Sequence, residues 1–141
     1  NLVKILEDEK VNKIFHFARF DVAVLKFYLG ANVKNIYCTK VSSKLARTFS
    51  EKHGLKDLVK EIIGVDMSKQ MQSSDWGAEK LSEKQLKYAA SDCIYLHQLK
   101  RELNKMLVRE NRMELFKKCM KFLNTRVDLD LADYKIDIFS H

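Results

Sequence analysis

Apolar residues recur at helical spacing from the start of the chain. Leu2, Val3, Ile5 and Leu6 predict a helix that stops near Asp8, with no separate cap ahead of the pattern, so the stretch reads as the end of a helix. The run Lys13-Ile14-Phe15-His16-Phe17, rich in β-branched and aromatic residues, predicts a short strand. Phe20, Val24, Leu25, Phe27, Tyr28 and Leu29 then carry a helix closed by Gly30, and Asn35-Ile36-Tyr37-Cys38-Thr39 predicts a second strand. Strand, helix and strand in this order form a βαβ unit with parallel strands and a right-handed crossover. Two parallel strands are too few for a sheet covered on both faces, so partner strands are expected ahead of Asn1.

From Val41 onward the pattern is mainly helical. One helix is predicted over 42–52, stopping before Gly54, and another over 55–63, stopping at Gly64. A polar loop covers 66–80. Ser82 with Glu83 and Gln85 opens a capped helix that runs to Leu103, its buried stripe being Leu86, Ala89, Ala90, Ile94 and Leu96. A last, basic helix covers 106–123. With no internal repeat, low-complexity segment or second domain, residues 1–141 read as one α/β domain.

Composition narrows the picture. At 141 residues, 46% hydrophobic and 32% charged, the chain has the apolar material of an ordinary domain and is not a disordered tail. No apolar run approaches the roughly 18–20 residues of a membrane span, and Glu7 and Asp8 interrupt any signal-peptide pattern. A soluble, cytoplasmic protein without a membrane partner is expected. Three cysteines, Cys38, Cys93 and Cys119, are an odd number with no CxxC pair, which fits a reducing compartment and disfavours a disulfide framework. The net charge of +7 is uneven: the stretch 124–141 holds Arg126 and Lys135 against Asp128, Asp130, Asp133 and Asp137, net −2, which leaves +9 on the remainder. A basic body suggests a polyanionic partner such as nucleic acid, although a lysine-rich solvated surface has the same composition.

Several constellations could carry chemistry. Tyr88-Ala89-Ala90-Ser91-Asp92 puts a phenol and a carboxylate at i and i+4 on one helix face. The carboxylate could hold a divalent metal while the phenol orients a metal-bound water; the plainer alternative is a Tyr packed beside a surface Asp. Asp21 directly follows the first strand, where α/β sheets place ligands, though a first-turn acid also complements a helix dipole. The loop Lys69-Gln70-Met71-Gln72-Ser73-Ser74-Asp75-Trp76 could hold a nucleotide by stacking and hydrogen bonds, or Trp76 could anchor the loop to the core. His16 could face substrate or be a core histidine. The pair Cys93 and His97 has no second pair at zinc-like spacing. The basic run Lys100, Arg101, Lys105, Arg109, Arg112, Lys117, Lys118 and Lys121 is either a phosphate-tracking face or a solvated helix surface.

Taken in order, His16-Phe17-Ala18-Arg19-Phe20-Asp21, His53-Gly54-Leu55-Lys56-Asp57-Leu58, Gln72-Ser73-Ser74-Asp75-Trp76 and Tyr88-x-x-x-Asp92 resemble the ribonuclease D branch of the DEDD 3′-to-5′ exonucleases. The Tyr88 to Asp92 pattern is similar to the DEDDy class, in its short bacterial form. The resemblance implies a ribonuclease H-like α/β fold, helix-rich here, and a two-metal Mg2+ or Mn2+ mechanism. The substrates it implies are single-stranded RNA 3′ ends, with DNA as an alternative, and the products nucleoside 5′-monophosphates. By position it assigns Asp21 and Asp92 as metal ligands and Tyr88 as the residue that orients the attacking water. His16, Arg19, Lys69, Gln72 and Trp76 become the candidate nucleic-acid contacts.

Two departures accompany the resemblance. The wider family often carries Asn where this chain has Phe17. The first motif, a strand bearing Asp-x-Glu, is absent, so the chain is expected to be an incomplete portion whose metal site needs those upstream acids. Self-association through the free sheet edge is expected in consequence. The rival readings are a catalytically inactive nucleic-acid-binding remnant and a helical interaction module.

Overall fold

The computed structural model describes residues 1–67, 83–134 and 137–141; the side chains of 84–89, 91 and 92 also lie outside the described residues. Helix α1 (Leu2–Glu7) carries its own cap. The Asn1 carboxamide oxygen accepts from Val3 N at 2.9 Å and Lys4 N at 3.4 Å, which corrects the expectation of an uncapped pattern.

Strand β1 (Lys13–Phe15) pairs in parallel with β2 (Ile36–Cys38), joined by α2 (Ala18–Leu29). Both strands are shorter than predicted. Phe17 adopts a left-handed conformation at φ 62, which turns the chain into α2, and α3 (Thr39–Ala46) begins directly after Cys38. The register sets Ile14 opposite Tyr37 and Phe15 opposite Cys38. Side-chain alternation then separates two apolar clusters. Phe15, Ile36 and Cys38 join Ala18, Val22, Leu123 and Val127 on one face, whereas Ile14 and Tyr37 join Ala46, Leu107 and Phe116 on the other. Among the described residues no strand pairs with the far edge of β1.

The long helices cover these faces. Helix α5 (Glu83–Arg109) packs on α3, and α6 (Met113–Leu131) packs on α2. Sequence periodicity put the helix boundary near Met106, but α5 continues to Arg109. The break comes at Asn111, whose positive φ of 56 allows Arg112 N to reach Leu107 O at 2.8 Å. The predicted stripe of α5 is corrected at two positions: Ala90 is exposed and Ile94 is 65% exposed, whereas Leu96 is half-buried and the side chains of Leu86 and Ala89 lie outside the described residues. Among the described residues of α5 the buried positions are Leu99, Leu103 and Leu107, at i, i+4 and i+8. Leu99 and Leu103 pack on Leu58 and Val59, where α4 (Leu55–Leu58) widens into a π-helical turn, Val59–Ile63.

Gly30 and Gly64 end their helices in left-handed geometry, as the sequence predicts. In each case the following residue's N–H bonds back six residues, Ala31 to Leu25 O and Val65 to Val59 O, both at 3.4 Å. Helix α3 stops at Ala46 rather than near 52. Buried Arg47 leaves the helix to donate to Ser43 Oγ at 3.2 Å and Lys52 O at 3.0 Å, and to pair with Glu61. Residues 124–131 lie past the predicted helix end at 123 but are helical. They form the last turns of α6, where Asp130 takes a two-point ion pair from Arg19 at 2.7 Å and Asp128 pairs with Lys26. No helix among the described residues is long and apolar enough to cross a membrane.

Leu103 is fully buried against Leu58, Val59 and Leu99. Leu103→Ala is expected to cost about 2–5 kcal/mol, read as a lower urea midpoint with an unchanged denaturant slope.

Candidate active site

The C-terminal ends of β1 and β2 and the first turns of α2 and α3 bring His16, Phe17, Phe20, Asp21, Thr39 and Lys40 into one region. Parallel strands make this convergence unavoidable, because both chains leave the sheet at the same end. Ala18 N donates to Cys38 Sγ at 3.3 Å, tying the start of α2 to the end of β2.

The Thr39 hydroxyl donates to Phe15 O at 3.2 Å, so its oxygen accepts from His16 Nδ1 at 2.9 Å. This arrangement puts the ring proton on Nδ1 and leaves Nε2 as an acceptor. Burial, reinforced by the nearby Lys40 ammonium, lowers the His16 pKa to about 4. His16 is therefore neutral near pH 7.

Asp21 lies in the first turn of α2. Burial raises its pKa above the ordinary carboxylate value, and no hydrogen bond or ion pair to its carboxylate is found among the described residues. Beside it stand two exposed rings, Phe17 and Phe20, with centroids 6.3 Å apart. Lys40 Nζ lies 4.3 Å from the Phe17 ring centre. A half-buried carboxylate, a fixed neutral imidazole, two rings and one ammonium can together meet a metal, a sugar hydroxyl, a base and a phosphate.

Among the sequence-predicted residues, His16 and Asp21 fall in this region. Arg19 starts on the same helix, but its guanidinium is engaged by Asp130. Tyr88 and Asp92 lie on α5 with side chains outside the described residues, as do Lys69, Gln72 and Trp76 entirely. Sequence reading missed Thr39 and Lys40. The rule that singled out Asp21, a residue just past a parallel strand, applies equally to both of them.

A 3′-5′ exonuclease family model matches residues 1–108. The chain is similar to a ribonuclease D of Gluconacetobacter diazotrophicus, 34% identical over 110 residues, which make up 78% of this chain. It spans only 28% of that relative's length. It also superposes on NrnC of Brucella melitensis with bound Mg2+ at 49% identity and a TM-score of 0.93. The same nuclease bound to pGG gives 51% identity and a TM-score of 0.93. Each superposition covers all of this chain and 69% of the NrnC chain.

His16 gives the region a pH signature. Its folded pKa of about 4 lies below the ordinary 6.5, so between these values the unfolded chain binds the extra proton. Stability is expected to fall as the pH drops from 6.5 toward 4. His16→Gln, which does not titrate, should flatten that fall in urea unfolding, and an unaltered decline in this variant would exclude His16 as the source.

Proposed function

The chain belongs to the 3′-5′ exonuclease family, and on that footing we propose that it acts in removing nucleotides from single-stranded RNA 3′ ends as 5′-monophosphates. The fold is that of the ribonuclease H-like 3′-5′ exonucleases, helix-rich and with a small parallel sheet. The observation that carries the functional reading is Asp21, a desolvated carboxylate without a cation partner among the described residues, at the ligand-bearing end of the strands.

An ionised carboxylate in that setting calls for a cation, and a hard divalent ion suits its oxygens. Among the described residues no three acids, histidines or cysteines group closely enough to hold a metal. The second ligand in this reading is Asp92, on α5. Held by these acids together with the Asp-x-Glu pair of the family's first motif, Mg2+ or Mn2+ would supply a water of lowered pKa and neutralise phosphate charge. The bound Mg2+ of NrnC supports that choice of cation.

The chain's own residues then divide the work. Asp21 and Asp92 hold positive charge at the scissile phosphate, and the Tyr88 hydroxyl orients the attacking water. The Phe17 and Phe20 rings offer a surface for the terminal base, Lys40 offers charge to a phosphate, and His16 Nε2 accepts from a sugar hydroxyl. The complex of NrnC with pGG supports a short oligonucleotide as the substrate class, with DNA ends as the alternative to RNA.

Two variants test this division. In a protein that also carries the Asp-x-Glu strand, Asp21→Asn should lower mononucleotide release by about a hundredfold or more while leaving RNA binding largely intact. The same change should raise stability at neutral pH by up to about 1 kcal/mol, because a desolvated charge is removed. Loss of activity through misfolding would give the opposite sign in the melt. Tyr88→Phe should reduce kcat by about a hundredfold or more with KM nearly unchanged. Normal kinetics with a lower melting temperature would make Tyr88 a packing residue and end this assignment.

A further inference from the structure

Four lysines of the basic run, Lys100, Lys117, Lys118 and Lys121, converge on one cavity of about 820 Å3, and Lys34 adds a fifth. The cavity sits at the other end of the strands from Asp21. Asn12 immediately precedes β1 and Lys34 and Asn35 immediately precede β2, whereas Asp21 follows the end of β1.

Its wall is partly apolar. Met113 and Met120 are half-buried and line it, over Tyr37 and Phe116, which are buried in the core with ring centroids 4.8 Å apart. Amides punctuate that wall: the Tyr37 hydroxyl donates to Asn104 Oδ1 at 2.8 Å, and Asn12 Nδ2 donates to Asn35 O at 3.0 Å and to Asn35 Oδ1 at 2.9 Å. Lys100 is fixed within the cavity. Its Nζ donates to Asn12 Oδ1 at 2.6 Å and lies 5.4 Å from the Tyr37 ring centre.

Other cations of the run are used elsewhere. Arg112 donates to Leu45 O at 2.7 Å, Lys105 pairs with Glu102, and Arg109 lies beside Glu110. Two carboxylates line the cavity, Glu9 and Glu114, the latter paired with Lys117 at 3.3 Å, so five ammonium groups face two acids. The volume falls within the roughly 300–1,000 Å3 of small-molecule sites. A thioether surface suits a planar base, amides suit its polar edge, and ammonium groups suit a phosphate.

We propose that this cavity is a second ligand site, separate from the Asp21 region, that takes a nucleoside phosphate with its base on the thioether surface of Met113 and Met120 and its phosphate among the lysines. The unit is either a free mononucleotide or one nucleotide of a bound strand. The site does not depend on the exonuclease reading, since none of its residues belongs to the Asp21 region.

Equilibrium binding in EDTA, with metal-dependent chemistry silent, tests the proposal using 5′-AMP, inorganic phosphate, adenosine and a short single-stranded RNA. AMP should bind more tightly than phosphate or adenosine if the free nucleotide is the ligand; binding of the RNA alone assigns the site to a strand. In either case Lys117→Glu with Lys121→Glu should weaken binding about tenfold or more without lowering the melting temperature. The control pair Lys105→Glu with Arg109→Glu makes the same change in net charge outside the cavity and should leave affinity within about twofold. Equal loss in both pairs, or no ligand sensitive to the first, would overturn the site.

Discussion

Complete burial of β2 is the constraint on which the remaining structure depends. Ile36, Tyr37 and Cys38 are all buried, yet in a strand successive side chains point to opposite faces. A three-residue strand can satisfy this only if both faces are covered. Helices α2 and α6 cover the side of Ile36 and Cys38, and α3 and α5 cover the side of Tyr37. The register carries the same division into β1, because Ile14 lies opposite Tyr37 and Phe15 opposite Cys38. Shifting either strand by one residue would exchange the two faces and move the Tyr37 hydroxyl away from Asn104.

Legibility of the fold followed the range of the interaction that sets each boundary. Gly30 and Gly64 end helices through their own backbone freedom, and both ends were predicted correctly. The end of α3 is set by Arg47 reaching Lys52 and Glu61, a contact with no periodic signature. Asn111 is an intermediate case. It tolerates positive φ better than most residues, but inside a continuous apolar and basic pattern its side chain gave no stop signal comparable to glycine. The exposure of Ile94 has a similar origin: it fits the helical period, yet neighbouring elements meet the helix at Leu99, Leu103 and Leu107.

Within the candidate site, position relative to the strands was legible and backbone conformation was not. Asp21 could be singled out because ligands gather where parallel strands end. That Phe17 would occupy the left-handed region could not be read from its side chain, since an aromatic residue pays roughly 1–2 kcal/mol to be there. The Lys40 ammonium over the exposed ring and the contact with Phe20 offset part of the cost. The turn from β1 into α2 is thus held by aromatic and cationic contacts.

Net charge alone would have hidden how the two ends of the sheet differ. Asp130 engages Arg19 and Arg126, and Asp128 engages Lys26, so two of the four acids of the 124–141 stretch are consumed against α2 and within α6. Hydrogen bonding from Arg19 holds the Asp130 carboxyl below its usual range, consistent with a pair formed in its ionised state. A phosphate competing for Arg19 must break a two-point ion pair, whereas one approaching Lys40 need not displace a carboxylate among the described residues. At the opposite end the lysines of α5 and α6 outnumber their acids around a partly apolar cavity. Positive charge therefore remains available at both ends for different geometric reasons: beside the Asp21 carboxylate at one, and around a partly apolar cavity at the other.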